Sequence, residues 1–153
     1  MKLLTFLAAT AAAMFASVPL ASAIPPTHEP VSFADRTFSG QCSFDVHREV
    51  LVNRSILTTF SNGNRLTTGT FKERLTNLST GEFIDVNASG PILAVFHPDG
   101  SSTEYLRGRQ FVRPFNQLLI TTGRVVVERD PAGVIVGFTQ LGGTSQDVCE
   151  LLA

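Results

Sequence analysis

The stretch Tyr105-Leu-Arg-Gly-Arg-Gln-Phe-Val-Arg-Pro-Phe-Asn-Gln-Leu-Leu-Ile-Thr-Thr-Gly-Arg-Val-Val-Val127 decides how this chain folds. Its first arm places Tyr105, Arg107, Arg109, Phe111 and Arg113 on every second position. Side chains spaced by two share one face of a strand, whereas a helix repeats every three or four. Between the arms, Pro114-Phe-Asn-Gln117 has the composition of a tight turn. A two-residue turn at Phe115-Asn116 sets Arg107 opposite Arg124 and Gly108 opposite Gly123. A register slip of one residue would undo both pairings. A glycine at the centre of a strand weakens it, so it marks a bend, a bulge or a close approach.

The same grammar extends outward in both directions. Ser61-Asn-Gly-Asn64, Ser79-Thr-Gly-Glu82, Pro98-Asp-Gly-Ser101 and Asp130-Pro-Ala-Gly133 supply further turns. Asn-Gly and Asp-Gly provide the positive backbone angles that hairpins require. Phe44-Asp-Val-His-Arg-Glu-Val-Leu-Val52 and Phe83-Ile-Asp-Val-Asn-Ala88 lie between them, with the alternation of half-buried strands. Several of these segments run to about 12 residues, against a usual strand of about 5–6. Gly69 and Gly137 repeat the central-glycine signature of Gly108 and Gly123. The fold class is therefore all-β. An antiparallel up-and-down meander of about eight strands, bent at glycines, suits a closed or nearly closed β-barrel, which leaves no sticky edges. A two-sheet β-sandwich is the alternative.

The two ends differ from this body. Met1–Ala23 reads as a signal peptide: Lys2, an apolar run through Leu20, and Ala21-Ser22-Ala23 as a cleavage site. Residues 24–34, with prolines at 25, 26 and 30, read as an extended, mobile arm. A single domain is expected over 35–153. At its end, Thr144-Ser-Gln-Asp147 offers a cap and an acidic first turn for a short helix near 144–152. The exported chain would carry only Cys42 and Cys149, near the two ends of the core. An even, widely spaced pair in an exported protein reads as one disulfide.

Composition narrows the function classes. Losing Lys2 leaves 11 basic residues of the 12, against 13 acidic ones. That balance gives no footprint for nucleic acid and no polybasic patch for a membrane surface. No second long apolar segment follows the leader, so no membrane span is expected. The chain has no Trp and one Tyr, Tyr105, which removes most of the aromatic faces used to stack sugars. No Gly-x-Ser-x-Gly, His-Glu-x-x-His or dinucleotide loop occurs, so neither a catalytic set nor a cofactor is assigned.

Three groups of residues remain as candidates for chemistry. Asp45, His47 and Glu49 alternate on one strand face, but linear spacing alone does not close a metal site, and a solvated outer face is expected instead. Asn53, Asn77 and Asn87 match the glycosylation triplet, a pattern that arises easily by chance in a Ser/Thr-rich chain. Asp85, Glu73 and Glu104 would serve paired-carboxylate chemistry only if the fold brought them together. The strongest candidate is the cationic face of Tyr105, Arg107, Arg109 and Arg124. Like charges directly opposite one another cost stability unless an anion or a carboxylate joins them. These residues are read either as a ligand site for an anionic group or as an exposed basic stripe paired with Glu104 and Glu128.

Asn77-Leu-Ser-Thr-Gly-Glu82, Val86-Asn-Ala-Ser-Gly-Pro91, Pro98-Asp-Gly100, Thr122-Gly-Arg124 and the closing Asp147-Val-Cys-Glu-Leu-Leu-Ala153 together resemble a known group. They are similar to the small secreted β-proteins of high-GC Gram-positive (actinobacterial) bacteria. The resemblance covers most of the chain after the leader and rests on turn and disulfide features. It implies export and a one-disulfide β fold, and it carries no catalytic residue. The expected function is a secreted, non-catalytic binding module for a small ligand or an extracellular or envelope partner. The alternatives are a cofactor-free barrel enzyme of cyclase or isomerase type, and an interaction domain without a pocket.

Overall fold

The computed structural model describes residues 24–153, so the leader read at Met1–Ala23 lies outside the described residues. Among them, twelve strands and one short α-helix follow in order, with a single 3-10 turn at Pro114–Asn116 between β8 and β9: β1 (Thr27–Pro30), β2 (Arg36–Phe38), β3 (Val46–Thr59), β4 (Arg65–Asn77), β5 (Phe83–Asn87), β6 (Ile92–Phe96), β7 (Ser102–Arg107), β8 (Gln110–Val112), β9 (Leu119–Thr121), β10 (Arg124–Arg129), β11 (Ile135–Gly142), β12 (Ser145–Asp147) and α1 (Val148–Leu151). All pairings are antiparallel. The five turn sequences each separate consecutive elements, four of them carrying Asn-Gly, Asp-Gly or Pro and the fifth, Ser79-Thr-Gly-Glu82, a Thr-Gly.

Two long hairpins organise the molecule. In the first, β3 and β4 pair from Val46↔Asn77 to Thr59↔Arg65. Strands of 14 and 13 residues are too long for one set of neighbours, and their flanks change midway. One half is bordered by β2 and β5, the other by β1 and β6. Between the halves lie a bulge at Val50–Val52 and Gly69, which faces Ser55 with φ +132°. A Cβ at Gly69 would come within 2.2 Å of the Arg54 carbonyl, so only glycine lets the strands cross there.

The second hairpin is the stretch around Phe115-Asn116. Phe115 and Asn116 both have positive φ, 48° and 67°, and the Gln117 N–H donates to the Pro114 carbonyl at 2.8 Å. Positive angles at both central residues define the turn whose twist matches that of flanking strands. The register runs unbroken in number from Val112↔Leu119 through Gln110↔Thr121 to Arg107↔Arg124. At the midpoint the Gly108 N–H donates to the Gly123 carbonyl at 2.9 Å, and both glycines sit at positive φ. That pair turns the hairpin out of its first sheet. β7 and β10 belong to a nine-stranded sheet, whereas β8 and β9 join β12 in a separate three-stranded one.

The antiparallel all-β class holds, and no closed barrel is found among the described residues. The principal path runs β1-β3-β4-β6-β7-β10-β11, and its ends are not paired with each other. The reason lies at Gly108 and Gly123, where the second hairpin diverges into its own sheet instead of carrying one ladder around an axis. In the half near the disulfide, two sheets share one core. Phe38, Val46, Leu75 and Val86 pack with Leu118, Ile120, Val148 and Leu152 from the smaller sheet and helix. A second, smaller cluster of Leu106, Val125 and Val127 lies on the inner face of the larger sheet.

Cys42 and Cys149 are bonded, with Cα atoms 5.3 Å apart and a sequence separation of 107. The bridge ties the segment after β2 to α1. Both ends of the described residues are drawn into strand pairing. Residues 24–34 do not form a free arm: Thr27–Pro30 is an edge strand on Ile56–Thr59, a position where a sheet tolerates proline. The expected short terminal helix is present at Val148–Leu151, directly after Ser145–Asp147, which pairs with Leu119–Thr121. Its cap is Asp147, which accepts the Cys149 N–H at 2.7 Å, and not Thr144.

Candidate functional site

The outer face of the larger sheet carries the residues singled out in the second hairpin. Alternation along β7 turns Tyr105 and Arg107 outward while Glu104 and Leu106 face in. On β10, Arg124 and Val126 turn outward and Val125 and Val127 inward. The pairing Val126↔Tyr105↔Leu93↔Leu66 lays an apolar row across four strands. This row is the floor of a groove of about 480 Å³, walled by Pro91 and Leu141. Arg107 and Arg124 line the groove, directly opposite each other in the ladder. Tyr105 is 44% exposed on the floor.

Among the described residues neither Arg107 nor Arg124 forms an ion pair. The carboxylates expected to pair with them are placed elsewhere. Glu104 faces the interior and holds Arg129 through two hydrogen bonds, at 2.9 and 3.2 Å. Glu128 packs against Gly137 on the neighbouring strand. Arg109 does not line the groove, because it follows the bend at Gly108. The structure thus brings Tyr105, Arg107 and Arg124 together and sets Arg109 apart.

The remaining candidates form no cluster of three or more metal-ligating side chains among the described residues. His47 shares a hydrogen bond with the Thr37 hydroxyl at 3.0 Å, while Asp45 precedes β3. Asn77 is buried, and its side-chain amide donates to the Leu152 carbonyl at 2.8 Å, so it holds the helix end in place. Asn53 similarly donates to the Val31 carbonyl. Asp85 is committed to Arg74 at 2.7 and 3.0 Å on the exposed face, and this bonding draws its carboxyl below the ordinary range. Glu73 occupies the next position on β4 and therefore projects to the other face. The three carboxylates do not converge.

Sequence reasoning named Glu73 as a carboxylate candidate but did not place it in the interior beside Arg48. Glu73 is 1% exposed, on the same strand face as Phe71 and Leu75. Its Oε2 lies 3.8 Å from the Arg48 Nε, too far for a hydrogen bond, and neither atom has another partner. Burial pushes the Glu73 carboxyl up to about 7, and Arg48 only partly opposes this. Arg48 is anchored from its other end by the Ala34 carbonyl, 2.6 Å from Nη2. The available signal was a glutamate placed in an alternating apolar run, Phe71-Lys-Glu-Arg-Leu75.

No family model matches this chain, and neither does any curated protein or solved structure.

Proposed function

We propose that this chain is an exported binding module that takes an amphipathic organic anion in its outer groove. The carrying observation is the direct opposition of Arg107 and Arg124 at a groove with an apolar floor. Two guanidinia held across a strand pair repel each other, and a carboxylate or similar anion between them removes that penalty. The floor of Leu66, Leu93 and Val126 supplies apolar surface for the rest of such a ligand. Export is supported by the disulfide, a bond that persists in oxidising compartments. No helix among the described residues is long and apolar enough to cross a membrane.

The test is a calorimetric comparison of decanoate with decanol. Decanoate binds, decanol binds at least about tenfold more weakly, and the double variant Arg107→Gln/Arg124→Gln loses the difference. Equal affinity for acid and alcohol in the native protein, or no effect of the double variant, rejects the reading. A Tyr105→Ala variant that lowers both affinities alike separates the floor from the cationic rim.

A further inference from the structure

The inner face of the larger sheet carries a second set of charges, separate from the outer groove. A cleft of about 220 Å³ runs there, with Ile92, Phe111 and Phe138 as its apolar wall. Arg48, Gln110 and Phe111 also line a smaller recess of about 110 Å³, in which Glu73 stands. The two spaces therefore adjoin at Arg48. Cations outnumber ionised partners in this region. Arg129 is matched by Glu104, but Arg113 forms no ion pair among the described residues. Arg36, Arg48 and Arg113 all approach the ring of buried Phe38, at 5.6, 5.9 and 4.8 Å. A ring face attracts cations but cancels no net charge. Burial and the neighbouring Arg36, Arg48 and Arg129 accordingly hold the Arg113 guanidinium below its ordinary range.

The geometry points to the Arg48–Glu73 recess and its adjoining cleft as an internal site for a small organic carboxylate, bound together with a proton on Glu73. Two orphaned atoms define the fit. The Arg48 Nε–H needs an acceptor and the Glu73 Oε2 needs a partner, and they lie too far apart to serve each other. One ligand carboxylate satisfies both, accepting from Arg48 with one oxygen and from protonated Glu73 with the other. Buried polar groups left unpaired are costly, so satisfying two at once is the gain that binding brings. The apolar wall of Ile92, Phe111 and Phe138 accommodates a body of about one ring. The remaining charged groups facing the site are Arg36 from β2, Glu104 from β7, Arg129 from β10 and Arg113 after β8. Of these and Arg48, only the carboxyl of Glu104 is anionic, and Arg129 neutralises it.

Benzoate is the probe, with acetate as the smaller carboxylate, followed by amide chemical shifts and calorimetry on the oxidised protein. Both stay ionised between about pH 6 and pH 8, so any pH dependence belongs to the protein. Benzoate is expected to shift the amides of Gln110, Phe111 and Val127. Its affinity should fall about tenfold from pH 6 to pH 8, as Glu73, raised to about 7, loses its proton. Glu73→Gln keeps a donor at that place without titrating, so its affinity should stay flat over the same range. Arg48→Gln should weaken binding about tenfold or more. If Arg48→Gln fails to fold, the Glu73→Gln profile still decides. The inference is overturned if neither probe saturates or if the wild-type profile is flat. It is equally overturned if Glu73→Gln keeps the slope, or if the shifted amides are those of Tyr105 and Val126. That last outcome would speak for the outer groove instead.

Discussion

The two halves of the long hairpins share strands and register yet differ in how they are covered. Toward the disulfide, β3 and β4 face the smaller sheet and α1 across Val46, Leu75, Leu118, Val148 and Leu152, all essentially inaccessible to solvent. Toward the opposite end, the same two strands continue into a sheet whose buried cluster is Leu106, Val125 and Val127. Leu141, Val136, Phe96 and Tyr105 remain exposed there. A β-strand gains little stability from its own ladder and much from what covers its faces. The covered half carries the structural burden, and the open half leaves more of its apolar surface exposed.

The largest way to break this contrast is to remove the staple. Cys42→Ala/Cys149→Ala should cost up to about 4.7 kcal/mol, the chain-entropy value for a loop of about 100 residues. Denaturant unfolding should show the loss while far-ultraviolet circular dichroism retains the β spectrum. A variant as stable as the native protein would mean that the covered half stands without its bridge.

Next comes the proton on Glu73. Its folded value of about 7 lies above the ordinary 4.5, so the native state holds the proton more tightly than the unfolded chain. The associated stability is complete below about pH 4.5 and is lost as pH rises through about 7. The full effect is about 3 kcal/mol by linkage. Melting temperatures across this range should fall for the native protein, and Glu73→Gln should remove that component of the slope. An unchanged slope would place the titrating group elsewhere.

Matched truncations sharpen the comparison further. Leu75→Ala in the shared core should cost about 3 kcal/mol, and Leu106→Ala in the smaller cluster about 2 kcal/mol. Equilibrium unfolding of the two variants side by side checks the order, and a reversed order would contradict it. The smallest effect is local. Phe115 holds φ +48°, a region that asparagine tolerates better than a bulky aromatic. Phe115→Asn should therefore raise stability by about 0.5 kcal/mol, read as a small rise in melting temperature.

What the sequence revealed and what it hid follow from the range of the interactions. The turn at Phe115-Asn116, the opposition of Arg107 and Arg124, and the glycine bends are consequences of neighbours in the chain. They are written in composition and in period-two spacing. The strand Thr27–Pro30 was hidden because proline and polar residues carry no alternation, and its pairing is decided by an open edge on β3. Ser145–Asp147 was hidden for the same reason, since three polar residues have strand geometry only because β9 offers partners. Gly108 and Gly123 announced a bend but not its outcome: the same glycines can curl one ladder into a barrel or divide it into two sheets. The Arg48–Glu73 pair belongs to two strands whose register had to be known before the charges could be seen to meet.

Native-state amide hydrogen exchange on the oxidised protein tests the division most directly. The slowest amides should lie in Val46–Val50, Glu73–Asn77 and Leu119–Thr121, and those of Thr27–Glu29 and Ile135–Gly142 should exchange through smaller openings. Uniform protection along both halves of β3 and β4, or the slowest exchange in β11, would contradict the account.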